Sequence, residues 1–249
     1  MGNILYGDLY DRVRSASGTY LLQSQFIGPK RAQDAANGLK ENCTLLMLNF
    51  YRSAVGDVGA QAIADALKVN STLTWLNLSE NNIGDLGAQA LAEALKVNTA
   101  LTTLHLGRNN IGPQGAQALA DALKLNKTLT ALHLDSNRIE TAGAQAIADA
   151  LKVNQSLTEI DLQSNRIGAG AGQALAEVLK VNQALATINL NINKIGEAGA
   201  EAIADALKVN RTVTTLHLWS NEITQPGTRA FAAALKTKLE CNEADWVVI

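Results

Sequence analysis

The sequence is poor in cysteine, proline, aromatic residues and net charge. It has two cysteines, three prolines, 4% aromatic residues and a formal net charge of −2 over 249 residues. A charge so close to zero argues against a general nucleic-acid or membrane-surface binder. No segment approaches the roughly 18 consecutive apolar residues of a membrane span. The charged residues Asp8, Asp11 and Arg12 also interrupt the region where a signal peptide has its apolar core. We therefore expect a soluble, cytoplasmic protein.

The sequence also lacks the complete motifs of common catalytic and modified sites. It contains no Ser-His-Asp order, no glycine-rich phosphate loop and no Cys-X-X-Cys pair. We therefore predict no enzymatic activity and no cofactor. The N-terminal segment MGNILY has the Gly2 of a myristoylation signal, but Tyr6 stands where such signals have Ser or Thr. Whether Gly2 is acylated stays open.

What the sequence has in abundance is one internal repeat. LTWLNLSENNIG at 73–84 returns as LTTLHLGRNNIG at 101–112 and as LTALHLDSNRIE at 129–140. Seven units begin at a regular spacing of 28 residues, at Leu45, Leu73, Leu101, Leu129, Leu157, Leu185 and Val213. The preceding segment keeps this register in degraded form, with Tyr20, Leu22, Ile27 and Asn42 at the matching positions. Such a period predicts a solenoid of stacked units.

The first half of each unit predicts a short strand. L-x-x-L-x-L alternates with period two, so Leu104 and Leu106 are expected in the core and His105 on the outer surface. Asparagine recurs in most units at the position of Asn109 and is expected to be buried there. A buried amide must form hydrogen bonds with the backbone of neighbouring turns. We therefore predict a ladder of asparagines along the solenoid, with Ser53 in place of asparagine in the first unit.

The second half of each unit has helical spacing. In GAQALADALKLN at 115–126, Ala116, Leu119, Ala120 and Leu123 fall on one face. We expect the asparagine that follows each helix to end it in a left-handed conformation, which would explain the recurrence of Asn70, Asn98, Asn126, Asn154, Asn182 and Asn210. Five of the six Asn-X-Ser/Thr sequons use this repeat position, so we attribute them to structure and not to glycosylation.

Repeated strand-helix units predict an α/β solenoid with a parallel β-sheet. Strands stack about 4.8 Å apart while helices are about 10 Å wide, so the array should bend into an open horseshoe arc. The strands then lie on the concave face and the helices on the convex face. We assign residues 1–44 to an N-terminal cap with a degenerate repeat, 45–240 to seven repeats and 241–249 to a C-terminal cap. Cys43 and Cys241 would lie at opposite ends, too far apart for a disulfide.

The pattern L-x-x-L-x-L-x-x-N-x-I-G followed by G-A-x-A-L-A-x-A-L-K-x-N resembles the leucine-rich repeat of the ribonuclease-inhibitor type. The near identity of the units is most similar to the leucine-rich region of NOD-like receptors, and Ran GTPase-activating proteins share the architecture. The inhibitor itself is cysteine-rich and strongly acidic, unlike this chain, so ribonuclease inhibition is not implied. The sequence also lacks the phosphate-cradling glycine loop of a complete NOD-like receptor.

The individuality of the chain lies at the outward strand positions and in the turns after them, since the helical halves hardly vary. The third position of the units reads Met47, Trp75, Thr103, Ala131, Glu159, Thr187 and Thr215. The fifth reads Asn49, Asn77, His105, His133, Asp161, Asn189 and His217. The predicted contact residues are Tyr51, Trp75, His105, Arg108, His133, Asp135, Arg138, Glu159, Asp161, Arg166 and Trp219.

The three histidines of the chain all occupy the fifth position. His105, His133 and Asp161 lie on consecutive strands about 5 Å apart, which is within reach of one divalent metal ion. The simpler interpretation is a hydrated polar column in which histidine replaces asparagine. We adopt it and predict no metal site, because a metal site needs oriented ligands with partners of their own.

Aromatic and basic residues on this face have two interpretations each. Tyr51, Trp75 and Trp219 are the residue types of binding hot spots, but terminal aromatics can also pack under caps such as the WVVI segment at 246–249. Arg138, Arg166 and Lys194 occupy the tenth position of three successive units, with Arg108 nearby. Such a column suits an acidic partner, unless Asp135, Glu159 and Asp161 neutralise it.

We predict a monomeric protein-interaction module that binds a protein partner on its concave strand face. One alternative is a GTPase-activating protein of the Ran type, which stimulated GTP hydrolysis would reveal. Another is the ligand-sensing fragment of a NOD-like receptor, in which the reading frame would continue into a nucleotide-binding domain. The partner itself is not predicted, because a repeat architecture defines a surface and not its ligand.

Overall fold

The computed structural model describes residues 9–240 and 247–248. Nine strands of this part of the chain form one parallel sheet whose spatial order follows the sequence. The strands are β1 Gly18–Leu21, β2 Leu45–Asn49, β3 Trp75–Asn77, β4 Thr103–His105, β5 Ala131–His133, β6 Glu159–Asp161, β7 Thr187–Asn189, β8 Thr215–His217 and β9 Val247–Val248. The predicted α/β solenoid, an open arc with the sheet on its concave face, is confirmed.

In the described part of the chain, one helix precedes β1 and one helix follows each of β1 to β8, and successive helices pack side by side. The helices are α1 Leu9–Ser15, α2 Gly28–Glu41, α3 Gly56–Leu67, α4 Asp85–Leu95, α5 Pro113–Leu125, α6 Glu140–Leu151, α7 Ala169–Leu179, α8 Gly196–Leu207 and α9 Gln225–Glu240. Within the described residues, no helix is long and apolar enough to cross a membrane.

Equal positions of neighbouring units lie side by side in the sheet. Trp75 pairs with Thr103, and Asn77 pairs with His105. In each three-residue strand the central side chain is buried and the two flanking side chains are half-buried, as the period of two predicts. The columns read from the sequence are therefore real rows of adjacent side chains.

The core lies between the sheet and the helices. Leu104 and Leu106 of the strand segment and Leu119 and Leu123 of α5 are buried, and so are their counterparts along the array. The helical spacing therefore identified the correct inward face. The outward face carries ion pairs such as Lys124 with Asp121, whose Nζ and Oδ1 atoms are 2.8 Å apart.

The predicted asparagine ladder is present and is buried. Asn109 donates from Nδ2 to the carbonyl oxygens of Leu78 and Leu106, at 3.0 and 2.9 Å. Its Oδ1 atom accepts the backbone N–H groups of Asn81 and Ile83 at 3.0 Å each. Each asparagine thus joins its own turn to the turn of the preceding unit. In the first unit, the Ser53 hydroxyl contacts the carbonyl of Leu22 in the preceding segment at 2.9 Å and that of Tyr51 in its own turn at 3.3 Å.

The expectation that the asparagines after the helices are left-handed is wrong. Asn126 has φ −68° and ψ 131°, which is extended backbone. Its Nδ2 atom donates to the carbonyls of Leu95 and Asn98 of the preceding unit, while Oδ1 accepts the N–H groups of Thr128 and Leu129. A second buried ladder, and not a need for positive φ, explains why asparagine recurs there. These buried amides give the five sequons at this position a structural reason, and the absence of glycosylation stays a prediction.

Carboxylates of one unit cap the helix of the next unit. Asp85 Oδ1 accepts the N–H groups of Gly112 and Gly115 at 2.7 and 2.8 Å, at the start of α5. Asp57 makes the equivalent contacts with Gly84 and Gly87 at the start of α4. These bonds satisfy N–H groups that have no partner inside the helix, and the negative charge suits the positive end of the helix dipole.

We expect Asp85→Ala to lower the free energy of unfolding by about 1–2 kcal/mol, the usual cost of removing a helix N-cap. Asp121→Ala is the matched control, because Asp121 forms only exposed contacts with Lys124 and Gln117 on its own helix and should cost less than about 0.5 kcal/mol. Urea unfolding followed by circular dichroism measures both. Equal losses would show that the contact between units contributes no more than a surface ion pair.

The segment before the first full unit has the shape of a repeat. Tyr20 pairs with Leu48, and Leu22 and Asn42 are buried at positions that match the later units. At the other end, β9 adds Val247 and Val248 beside β8. Residues 1–8, 241–246 and 249 lie outside the described residues, and with them Gly2, Cys241, Trp246 and Ile249. The boundaries 1–44, 45–240 and 241–249 therefore stay predictions.

Candidate functional site

A row of rings crosses three adjacent strands on the concave face. The ring centroids of Trp75 and His105 are 5.0 Å apart with an interplanar angle of 55°. The His105 and His133 rings are stacked, with centroids 4.1 Å apart and an angle of 13°. The His133 Nε2 atom then lies 3.7 Å from Oε1 of Glu159 on the next strand. Four predicted contact residues thus form one continuous row, which we call the ring row.

The ring row holds His105 in its neutral form. Burial, and after it the nearby His133, together lower the pKa of His105 from 6.5 to about 4. A neutral imidazole can stack on a second ring without placing two like charges together. The His105 ring is therefore uncharged within the row at neutral pH.

We expect the stability of the protein to depend on pH through His105. The pKa of His105 in the folded state lies below its value of about 6.5 in the unfolded state. The stability contributed by the neutral ring is therefore fully present above about pH 6.5 and is lost as the pH falls towards 4. Because solvent screens this half-buried group, we expect about 1 kcal/mol, or about 2–4 °C in Tm, relative to His105→Asn. Thermal unfolding at pH 7 and pH 4.5 measures this; a wild-type-to-variant difference that does not change with pH would contradict it.

The arrangement of His105, His133 and Asp161 does not match a metal site. The two imidazoles meet face to face, so their nitrogens do not converge on one point. Asp161 Oδ1 accepts the N–H of Gln163 at 2.9 Å, and Oδ2 accepts Nδ2 of Asn189 at 3.0 Å. In the part of the chain that the structure describes, no group of three His, Cys, Asp or Glu residues is placed to hold a metal ion.

Tyr51 and Arg108 are joined through Glu80, a residue that the sequence reasoning did not select. Tyr51 Oη donates to Glu80 Oε1 at 2.8 Å, and Arg108 Nη1 donates to the same atom at 3.0 Å. The Nε atom of Arg52 lies 3.7 Å from the other carboxylate oxygen of Glu80, Oε2. The hydroxyl of Tyr51, followed by the two arginines, lowers the pKa of Glu80. The eighth position of successive units alternates in charge, with Arg52, Glu80 and Arg108. This alternation was the sequence signal that could have identified Glu80.

Asp135 lies over a glycine of the preceding unit. A Cβ atom on Gly107 would collide with Asp135 Oδ1, so a larger residue there would force the Asp135 carboxylate to move. Burial, and then the charge of Asp161, raises the pKa of Asp135. Asp135 and Asp161 therefore form an acidic border beside the ring row.

The remaining predicted contact residues lie apart from the ring row. Arg138 and Arg166 are exposed on the turns that follow the strands, where they line a groove of about 560 Å³. Trp219 lies beyond β8 and is 64% exposed. Its backbone N–H donates to Asn191 Oδ1 at 2.7 Å. The predicted contact residues thus fall into five groups, namely the ring row, Tyr51 with Arg108, Asp135 with Asp161, Arg138 with Arg166, and Trp219.

Comparisons with known families agree with this architecture. A family model described as the TMOD/LMOD leucine-rich domain matches residues 81–197, and a model of the leucine rich repeat matches residues 69–92 and 209–232. The chain is a leucine-rich-repeat protein. The resemblance to the leucine-rich repeat stated from the sequence is confirmed, whereas the resemblance to NOD-like receptors and the Ran-type alternative stay predictions.

Two solved structures share the leucine-rich-repeat fold at low sequence identity. Leiomodin-1 actin-binding site 2 is 22% identical with a TM-score of 0.51, over 72% of this chain and 89% of that one. The tropomodulin C-terminal domain of Caenorhabditis elegans is 18% identical with a TM-score of 0.52, over 59% of this chain and 90% of that one. A search of curated proteins finds no match. These likenesses support the fold, which is shared more widely than any one ligand.

Proposed function

We propose that this leucine-rich-repeat protein recognises a protein partner on the concave face of its sheet, without catalysing a reaction. The contact surface consists of Tyr51, Trp75, His105, Arg108, His133, Asp135, Arg138, Glu159, Asp161, Arg166 and Trp219. The observation that carries the proposal is the ring row. A tryptophan and two stacked histidines cross adjacent strands where most equivalent positions hold small polar side chains.

The ring row has the features of a binding hot spot. Aromatic side chains provide much contact area for little loss of conformational entropy, and they dominate measured interface energies. Trp75 and His105 are half-buried, so each still offers part of its ring to a partner. The rows of charged groups on both sides, Glu80 with Arg108 and Asp135 with Asp161, supply a polar border that would exclude other partners.

The likeness to leiomodin-1 supports the class of function and supplies a first probe. That structure is titled an actin-binding site, and it has the same fold over most of its length. Purified actin is therefore the first partner to test, followed by affinity capture from a native lysate. If actin is not among the captured proteins, the proposal is tested with the other partners that the capture identifies.

We expect the double variant Trp75→Ala, His133→Ala to weaken binding of the captured partner at least about tenfold, as loss of a hot spot does. The matched control is Leu86→Ala, Val97→Ala, which removes two side chains that are 70% and 60% exposed on the helical side. Both variants should keep the wild-type circular dichroism. If the control loses the partner and the ring-row variant retains it, the contact surface lies on the helices.

Monomeric state and cytoplasmic location stay predictions. Size-exclusion chromatography with light scattering measures the first, and fractionation of the source cells measures the second. A dimer joined through the ends of the arc would leave the concave face open, whereas a dimer that covers Trp75 would remove the proposed contact surface.

A further inference from the structure

A groove with an unpaired positive column lies on the turns beside the concave face. Arg138, Arg166 and Lys194 occupy the tenth position of three successive units and line the cavity of about 560 Å³. All three are exposed. Because neighbouring strands are about 4.8 Å apart, the column spans about 10 Å. We call it the basic groove.

The three cations differ from the basic residues that form ion pairs on the helical face and around Glu80. Six helix-face lysines each contact a carboxylate three residues earlier, namely Lys68, Lys96, Lys124, Lys152, Lys180 and Lys208. Arg52 and Arg108 contact Glu80. Across residues 9–236, whose side chains the structure describes, no carboxylate lies within ion-pair distance of Arg138, Arg166 or Lys194. The carboxylates Asp135, Glu159 and Asp161 therefore do not neutralise this column.

Hydroxyl groups on the same turns are also without a partner. Ser136 and Ser164 line the basic groove beside the cations, and their side chains form no hydrogen bond with the residues that the structure describes. Their backbone N–H groups are bonded to Gln163 and Asn191 of the following units, which fixes the position of each serine. Carboxylates and phosphates accept hydrogen bonds from cationic side chains and from hydroxyl groups beside them.

The rest of the lining selects between classes of anionic ligand. Ile192 lies within the groove and is 43% exposed, which favours a ligand with an apolar side chain. Glu222 follows Lys194 at the same repeat position, so the column ends on a negative charge that would repel a continuous phosphate backbone. Among the residues that the structure describes, no aromatic side chain lines the groove for stacking of bases. The lining therefore favours a peptide over a nucleic acid.

We propose that the basic groove binds an extended acidic peptide segment of a protein partner. This inference rests on the proposed protein-recognition function and adds the chemistry of the partner. About three extended residues cover the 10 Å of the column, so carboxylates at alternate positions face the cations. An apolar residue of the segment packs on Ile192. At the end of the segment, a basic side chain or an N–H group contacts the carboxylate of Glu222. The charge pattern along the groove thereby also fixes the direction of the peptide.

The test uses a labelled peptide of about ten residues with alternating glutamates and one central leucine, and the same peptide with glutamines. Fluorescence anisotropy compares the wild type with Arg138→Gln, Arg166→Gln, Lys194→Gln. The matched control is Lys124→Gln, Lys152→Gln, Lys180→Gln, which removes the same charge from the helical face. We expect the glutamate peptide to bind at least about tenfold tighter than the glutamine peptide, and only the groove variant to lose this difference.

Three outcomes would overturn the inference. They are equal weakening by both triple variants, equal binding of the two peptides, and tighter binding of a single-stranded oligonucleotide to the same residues. The variant Trp75→Ala, His133→Ala separates this inference from the proposed function, because it should leave binding of the peptide unchanged. If that variant loses the captured partner and still binds the peptide, the result supports both the proposed function and this inference. If the groove variant loses the peptide but still captures the partner, the inference that the partner supplies the acidic segment is overturned.

Discussion

Replacing Asn137 by alanine should lower the free energy of unfolding by about 3–5 kcal/mol. The Asn137 amide donates to the carbonyls of Leu106 and Leu134 at 2.9 and 3.0 Å, and it accepts the N–H of Ile111 at 3.0 Å. Alanine leaves these buried backbone groups without partners, and each such group costs about 1–3 kcal/mol. Two adjacent units lose their connection at once, since the bonds run between them.

Asn110→Ala is the matched control for this prediction. Asn110 is exposed and lies in the adjoining turn of the same side of the arc, so its loss should change the free energy of unfolding by less than about 0.5 kcal/mol. Urea unfolding, fitted with a common m-value, measures both variants. Similar midpoints for the two would mean that the ladder does not stabilise the array.

Deletion of residues 1–44 should cause the protein to aggregate. In the intact chain, Leu22, Ile27 and Leu39 are buried against the first full unit, and β1 pairs with β2. The deletion uncovers this apolar face and leaves β2 as an open edge strand, and both features promote association. Light scattering after size-exclusion chromatography measures the result.

Deletion of the internal unit 101–128 is the control of similar kind. It removes one complete period and leaves both ends covered, so the shortened solenoid should remain monomeric with reduced stability. A monomeric chain from residue 45 onward with the midpoint of the full chain would refute the assignment of residues 1–44 as a cap.

The parts of the fold that repeat could be predicted from the sequence. A spacing of 28 residues places equal positions side by side, and the pairing of Trp75 with Thr103 follows from that spacing alone. The buried ladder could also be predicted, because a polar residue fixed between Leu106 and Ile111 must find partners. Repetition makes these inferences strong, since one local rule is applied in every unit.

The parts that depend on side-chain conformation between units could not be predicted. The contact of Asp85 with the next helix and the bridge from Tyr51 through Glu80 to Arg108 require particular rotamers across two units. For Asn126, the residue type is compatible both with positive φ and with buried hydrogen bonds, and only the backbone angles decide between them. Likewise, histidines on adjacent strands can stack or chelate, and here they stack.

The most direct test of concave-face recognition is hydroxyl-radical footprinting of the protein with and without its captured partner. The account predicts that oxidation of Trp75, His105 and His133 falls several-fold in the complex. Oxidation of Leu86 and Val97, which are exposed on the helical side, should stay the same. Protection of the two aliphatic residues with unchanged oxidation of Trp75 would contradict the account and place the contact on the convex face.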